Sequence, residues 1–81
     1  MMHILDYTSQ GRRPTPQQIV ADWKKMDRPA LFQVEYGETY AEFTQYSGNW
    51  FAQGNGCEGF KRDKVVALLN ADREPQRGRM L

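Results

Sequence analysis

Hydrophobic positions along this chain change period twice. Ile19, Val20, Trp23 and Met26 fall at i, i+1, i+4 and i+7, one stripe of a helix. Asp22, Lys24 and Lys25 lie off that stripe. Thr15-Pro16-Gln17-Gln18 marks the start: a capping hydroxyl, a proline at the first helical position and a glutamine that completes a capping box. Asp27-Arg28-Pro29 marks the stop, because a residue before proline is pushed out of helical geometry.

From Ala30 to Tyr36 the period is two. Phe32, Val34 and Tyr36 share one face, and Leu31, Gln33 and Glu35 the other. Gly37-Glu38 predicts a tight turn, and Thr39–Tyr46 a second strand rich in β-formers. Its phase is less clean, with Tyr40 and Tyr46 opposite Ala41 and Phe43. Ser47-Gly48-Asn49 predicts another turn, and Trp50–Gln53 a third short strand. Two short turns between consecutive strands give an antiparallel meander. After Gly54-Asn55-Gly56 the helical period returns at Val65, Val66, Leu68 and Leu69, in a helix starting near Lys61 or Arg62.

The predicted class is therefore α+β: a three-stranded antiparallel meander with two helices, order α-β-β-β-α, packed on one face. Its expected core is Ile19, Val20, Trp23, Phe32, Val34, Phe43, Val65, Leu68 and Leu69. Residues 1–13 read as an N-terminal arm, within which His3 to Tyr7 has the make-up of a short strand. Residues 14–71 read as the single domain. From Asp72 no apolar period remains, so 72–81 reads as a polar, disordered tail.

Size narrows the function classes. The chain has 81 residues, 11 Lys+Arg and 10 Asp+Glu. So short a domain buries only about 60–65% of its unfolded surface, which leaves little room for a large enclosed active site. The near-neutral balance argues against a strong non-specific nucleic-acid binder. One cysteine, Cys57, and one histidine, His3, allow neither an intrachain disulfide nor a Cys/His zinc site. A secreted domain of this size is usually stapled by disulfides, so the cytoplasm is expected. No apolar run has the roughly 20 residues of a membrane span.

Little in the sequence carries catalysis. Cys57 stands near Lys61, Arg62 and Lys64, surroundings that lower a thiol pKa, but its only histidine partner is in the arm. Glu35 and Glu42 face each other loosely across the first hairpin, as solvated strand residues commonly do. Gly54 to Gly59 lacks the Walker spacing and reads as a turn. No catalytic residue, metal ligand or cofactor is expected.

Aromatics are the distinctive feature. A small sheet has one face for its helices, and Tyr36, Tyr40, Phe43, Tyr46, Trp50 and Phe51 exceed what that face holds. Phe43 and one of Trp50 or Phe51 belong inside; Tyr40, Tyr46 and Trp50 are the candidates for the outside. Exposed aromatics anchor protein interfaces and also stack unpaired bases. The expected function is a small non-enzymatic binding module, a regulator, adaptor or inhibitor acting on a protein partner through this surface. Its expected binding residues are Tyr40, Tyr46, Trp50, Lys61 and Arg62. Such a make-up also fits accessory proteins of phages and mobile elements. One alternative is a nucleic-acid module that stacks bases on Tyr and Trp with Lys and Arg on phosphates. A second is a Cys57-dependent redox protein or enzyme. A homodimer through an exposed edge strand fits all three readings.

Overall fold

The structure, a computed structural model, describes the backbone of residues 3–79 and the side chains of residues 3–72. Its elements are β1 (His3–Asp6), a 3-10 turn (Thr8–Gln10), α1 (Pro16–Lys25), β2 (Leu31–Tyr36), β3 (Thr39–Tyr46), β4 (Asn49–Gln53) and α2 (Arg62–Arg79). They build one sheet in the order β1-β2-β3-β4, with both helices over a single face.

The α+β class and the β2-β3-β4 meander agree with the sequence pattern. The three-strand sheet and the separation of residues 1–13 as an arm do not, although the short strand expected within His3 to Tyr7 does form. His3–Asp6 is a fourth strand, parallel to β2, with Leu5 beside Val34. The sheet is therefore mixed, and the order is β-α-β-β-β-α. A parallel pair needs a crossover, and α1 is that crossover. Tyr7 secures it at both ends. Its backbone N–H donates to the Glu35 carbonyl at 2.8 Å, extending the β1 ladder. Its phenol, buried among the core residues, donates to Asp22 Oδ2 on α1 at 2.7 Å. Burial first, then that hydrogen bond and the Asp22 charge, hold the phenol far above its ordinary pKa and keep it a donor.

Helix α1 begins as its sequence dictates. Thr15 Oγ1 accepts the Gln18 backbone N–H at 3.0 Å, and Pro16 opens the first turn. It ends in a double closure. Arg28 N–H donates to Trp23 O, and Asp27 N–H to Lys24 O. That is a Schellman motif, normally closed by glycine; here Asp27 takes the left-handed conformation at φ 68°. Arg28 follows at φ 53°, which turns its side chain toward α2.

The core gathers where α1 crosses the sheet. Phe32 stacks on Phe43 with ring centroids 5.2 Å apart. Trp50 meets both Trp23 and Phe32 edge-on, at 5.6 and 5.9 Å. The Trp23 indole N–H donates to the Pro29 carbonyl at 2.8 Å, so the polar edge of a buried ring is satisfied. Phe60, Val65 and Leu69 close the second half under α2. Every expected core residue belongs to this cluster, with Leu68 packed at its margin.

Asp72 falls inside α2, although the sequence pattern assigns it to the tail. It bridges the helices: its carboxylate meets Lys24 Nζ at 3.2 Å and Arg28 Nε at 3.0 Å. Helical backbone continues to Arg79; residues 80 and 81 of the expected tail lie outside the described residues.

Two predictions follow from these contacts. The Arg28 hydrogen bond, then that from Lys24, holds the Asp72 carboxyl below the ordinary carboxylate range, against a side chain only 12% exposed. A carboxyl lowered in the folded state stabilises above its unfolded pKa of about 3.9, and that contribution vanishes as pH falls through the folded value. Asp72→Asn therefore costs about 1 kcal/mol at neutral pH. Urea midpoints of variant and parent converge as pH is taken from about 5 towards 2. Asp27→Gly acts in the other direction. It relieves the left-handed strain against some gain in unfolded-chain entropy, and raises stability by about 1 kcal/mol in thermal melts.

Candidate functional site: the open face of the sheet

Strand side chains alternate, so whatever the helices bury on one face fixes what stands on the other. The inner face carries Phe32, Val34, Ala41, Phe43 and Trp50, all buried. The outer face receives their neighbours, and no described helix covers it. Ladder register sets them in rows: Asp6, Glu35 and Tyr40; Ile4, Gln33, Glu42 and Gln53; Leu31, Thr44 and Phe51; then Tyr46 beside Asn49.

Among the described residues the exposed large hydrophobics are Ile4, Leu31, Tyr40, Tyr46 and Phe51. All five are on this face. Tyr46 is 71% exposed and Phe51 55%. Thr44, Tyr46 and Phe51 line a shallow depression of about 270 Å³, with Glu42 and Gln53 at its rim.

The polar residues between them are organised. Gln53 donates to Glu42 at 2.7 Å across the β3–β4 ladder, and Gln33 donates to Glu35 at 2.6 Å along β2. Asp6 accepts the Thr8 hydroxyl at 2.6 Å and the Thr8 backbone N–H at 2.9 Å. The hydroxyl bond, then the backbone bond, keeps its carboxyl below the ordinary value, so Asp6 is an anion. Glu35 and Glu42 are diagonal neighbours, since Glu35 stands opposite Tyr40 and Glu42 opposite Gln33. No described strand contains a lysine or arginine. The face is apolar and acidic.

The five expected binding residues do not converge. Tyr40 and Tyr46 are on the open face. Trp50 is not: it is 6% exposed, beneath α1, and Phe51 takes the outward position. Lys61 and Arg62 stand at the start of α2, on the helical side, where with Lys64 they line a second depression beside Cys57 and Glu58. Ile4, Leu31 and Phe51 are the members that a three-strand reading leaves out. The alternation of β2 already sets Leu31 outward; Ile4 had no partner strand until β1 joined the sheet.

The glycine-rich segment after β4 is structural. Gly54 has φ 137°, and a side chain there would approach the Tyr40 carbonyl to 2.5 Å. Asn55 Oδ1 accepts the Tyr40 backbone N–H, and Gly56 N–H donates to the Tyr40 carbonyl, both within 2.9 Å. The loop thus continues along β3 after β4 ends. Cys57 is buried directly beyond it. Residues 57–62 form a helical turn that closes as α1 does: Arg62 N–H donates to Cys57 O, Lys61 N–H to Glu58 O, and Lys61 is left-handed at φ 57°. The Lys61 backbone forms this cap.

Among the described residues no three His, Cys, Asp or Glu side chains are grouped to hold a metal ion, and no helix is long and apolar enough to cross a membrane. No family model, curated protein or solved structure matches this chain.

Adjacent residues 50 and 51 provide a sharp contrast. Trp50→Ala removes the ring that joins Trp23 to Phe32 and costs about 3–5 kcal/mol, comparable with the whole stability of so small a domain. Phe51→Ser changes stability by about 0.5 kcal/mol or less. Circular dichroism and urea titration of the two variants show the difference directly.

Proposed function

We propose that the chain is a non-catalytic binding protein whose open sheet face docks a protein partner. That partner presents apolar side chains ringed by lysine and arginine. The observation that supports this reading is five exposed large hydrophobics on one face, interleaved with Asp6, Glu35 and Glu42 and with no basic residue on the strands. Exposed aromatic and aliphatic side chains with hydrogen-bonded polar groups between them have the make-up of an interface. Nucleic acid fits it poorly. Bases stacked on Tyr40 or Phe51 would bring their phosphates against three carboxylates, where single-strand binders supply a cationic groove.

The test is capture from a host lysate on the immobilised chain, with and without nuclease. The Tyr40→Ser/Tyr46→Ser double variant, whose fold is checked by circular dichroism, serves as comparison. The expected result is a discrete protein retained through nuclease treatment, its affinity for the variant weaker by about 30-fold or more. Retention that disappears with nuclease, or that the variant leaves unchanged, refutes the reading.

A further inference from the structure

The sheet has two edges, and they differ. β1 has four residues and ends in the charged Asp6. β4 has five, Asn49-Trp50-Phe51-Ala52-Gln53, and carries no charge and no proline. Sheet edges in proteins are commonly blunted by lysine, proline or a bulge, because a row of unpaired backbone groups is a template for another strand. β4 has neither the lysine nor the proline.

Its free backbone groups can be assigned. The Tyr40 N–H and carbonyl are engaged by Asn55 and Gly56, on the β4 side of β3. Gln45 N–H donates the other way, to the Ala30 carbonyl on the β2 side. Even-numbered residues of β3 therefore address β4, and their partners are Gln53, Phe51 and Asn49. Trp50 and Ala52 then direct N–H and C=O away from the sheet. Outside the strand ladders, no backbone hydrogen bond among the described residues involves either residue.

We propose that two copies of this chain join through β4 in an antiparallel, two-fold pairing centred on Phe51. With Phe51 opposite itself, Trp50 faces Ala52 of the second copy and Ala52 faces its Trp50. The outward groups then close four backbone hydrogen bonds. Phe51 occupies a non-hydrogen-bonded position, where paired Cα atoms come within about 4.5 Å and side chains lie closest. Its exposed ring packs on its own counterpart at the centre of a continuous eight-stranded sheet. Asn49 stands opposite Gln53 of the second copy, amide against amide.

Charge selects a second copy as the occupant. An isologous contact must be self-complementary. The neutral strand meets that condition, whereas face-to-face stacking of the open faces would bring Asp6, Glu35 and Glu42 against their own kind. Beside β4, on the helical side, Trp50, Ala52 and Val66 line a trough of about 310 Å³ whose charged residues are Arg62 and Asp63. One cation and one anion are self-complementary across a two-fold axis.

Sedimentation equilibrium of the whole chain tests the pairing, from micromolar to millimolar concentration. The expected mass rises from 9.4 kDa towards twice that value. Ala52→Pro removes an outward N–H that the monomer does not use, and an edge-strand position whose N–H faces solvent tolerates proline. It should weaken the dimer by about 100-fold while leaving the circular dichroism spectrum unchanged. Phe51→Cys reads the register independently of that variant's folding: mild oxidation should give a 51–51 cross-linked dimer, which the parent, with Cys57 buried, does not form. A parent that stays at 9.4 kDa throughout overturns the proposal. So does an Ala52→Pro variant that is folded and still dimeric, or a Phe51→Cys variant that fails to cross-link.

Discussion

Trp50 has to lie beneath the helices, and most of the molecule follows from that. Its ring completes the aromatic junction with Trp23 and Phe32, and it is the largest side chain of β4. Period-two alternation then has no freedom left. Phe51 is forced outward, and the ladder carries the same choice to Thr44 and Leu31, one row across three strands. A slip of one residue in β4 would bury Phe51 but expose Trp50 and unseat Trp23, whose indole N–H is already committed to Pro29. The open face is thus a consequence of core packing, and its apolar content is a by-product that evolution can use or blunt. It is not blunted: Tyr46 and Phe51 stand clear of the surface with carboxylates and amides set between rows.

Local signals in the sequence were enough for local structure. The α1 cap, the β2 alternation and both hairpin turns are written in adjacent residues. Ser47 and Gly48, for example, both adopt positive φ, the type I′ geometry of a two-residue hairpin. What adjacent residues do not encode is non-local pairing. β1 joins β2 across a crossover that contains all of α1, so nothing in His3–Asp6 itself announces a parallel partner. The choice between Trp50 and Phe51 was illegible for the same reason. It depends on Trp23, a contact across 27 residues of chain, rather than on the pattern of β4. Of the five exposed hydrophobics, Tyr40 and Tyr46 were legible and the alternation of β2 set Leu31 outward; Ile4 and Phe51 were not legible, because each depends on one of those two long-range facts. Asp72 is a third case. Composition places it with the polar residues that follow, whereas its partners are Lys24 on α1 and Arg28 in the turn that closes α1.

Charge is distributed unevenly between the two layers. All described lysines and arginines come from helices and loops, and several are already engaged: Lys24 and Arg28 with Asp72, Lys25 with Asp22, Arg62 with Asp63. Arg13 is held over the rings of Tyr36 and Phe60, at 5.4 and 5.5 Å, and against Gly59. Cations therefore do structural work on one side while carboxylates on the other lack basic neighbours. Such a charge distribution would steer an oppositely charged partner to the open face and repel phosphate from the same place.

Face and edge are separable surfaces that meet at one residue. Tyr40 and Ile4 belong to the face alone, and the outward backbone of Trp50 and Ala52 to the edge alone; Phe51 touches both. Joining two copies at β4 would place two Leu31-Thr44-Phe51 rows end to end and double the length of the apolar strip without bringing carboxylates together at the seam, since β4 has none. A partner that spans the seam would engage two equivalent half-sites. The second engagement would then be intramolecular, with an affinity gain set by geometry rather than by new contacts. The small hydrophobic core is no obstacle to this. A domain that cannot add stability by enlarging its interior can add it by extending its sheet, and the backbone groups left open at β4 are where such an extension costs least.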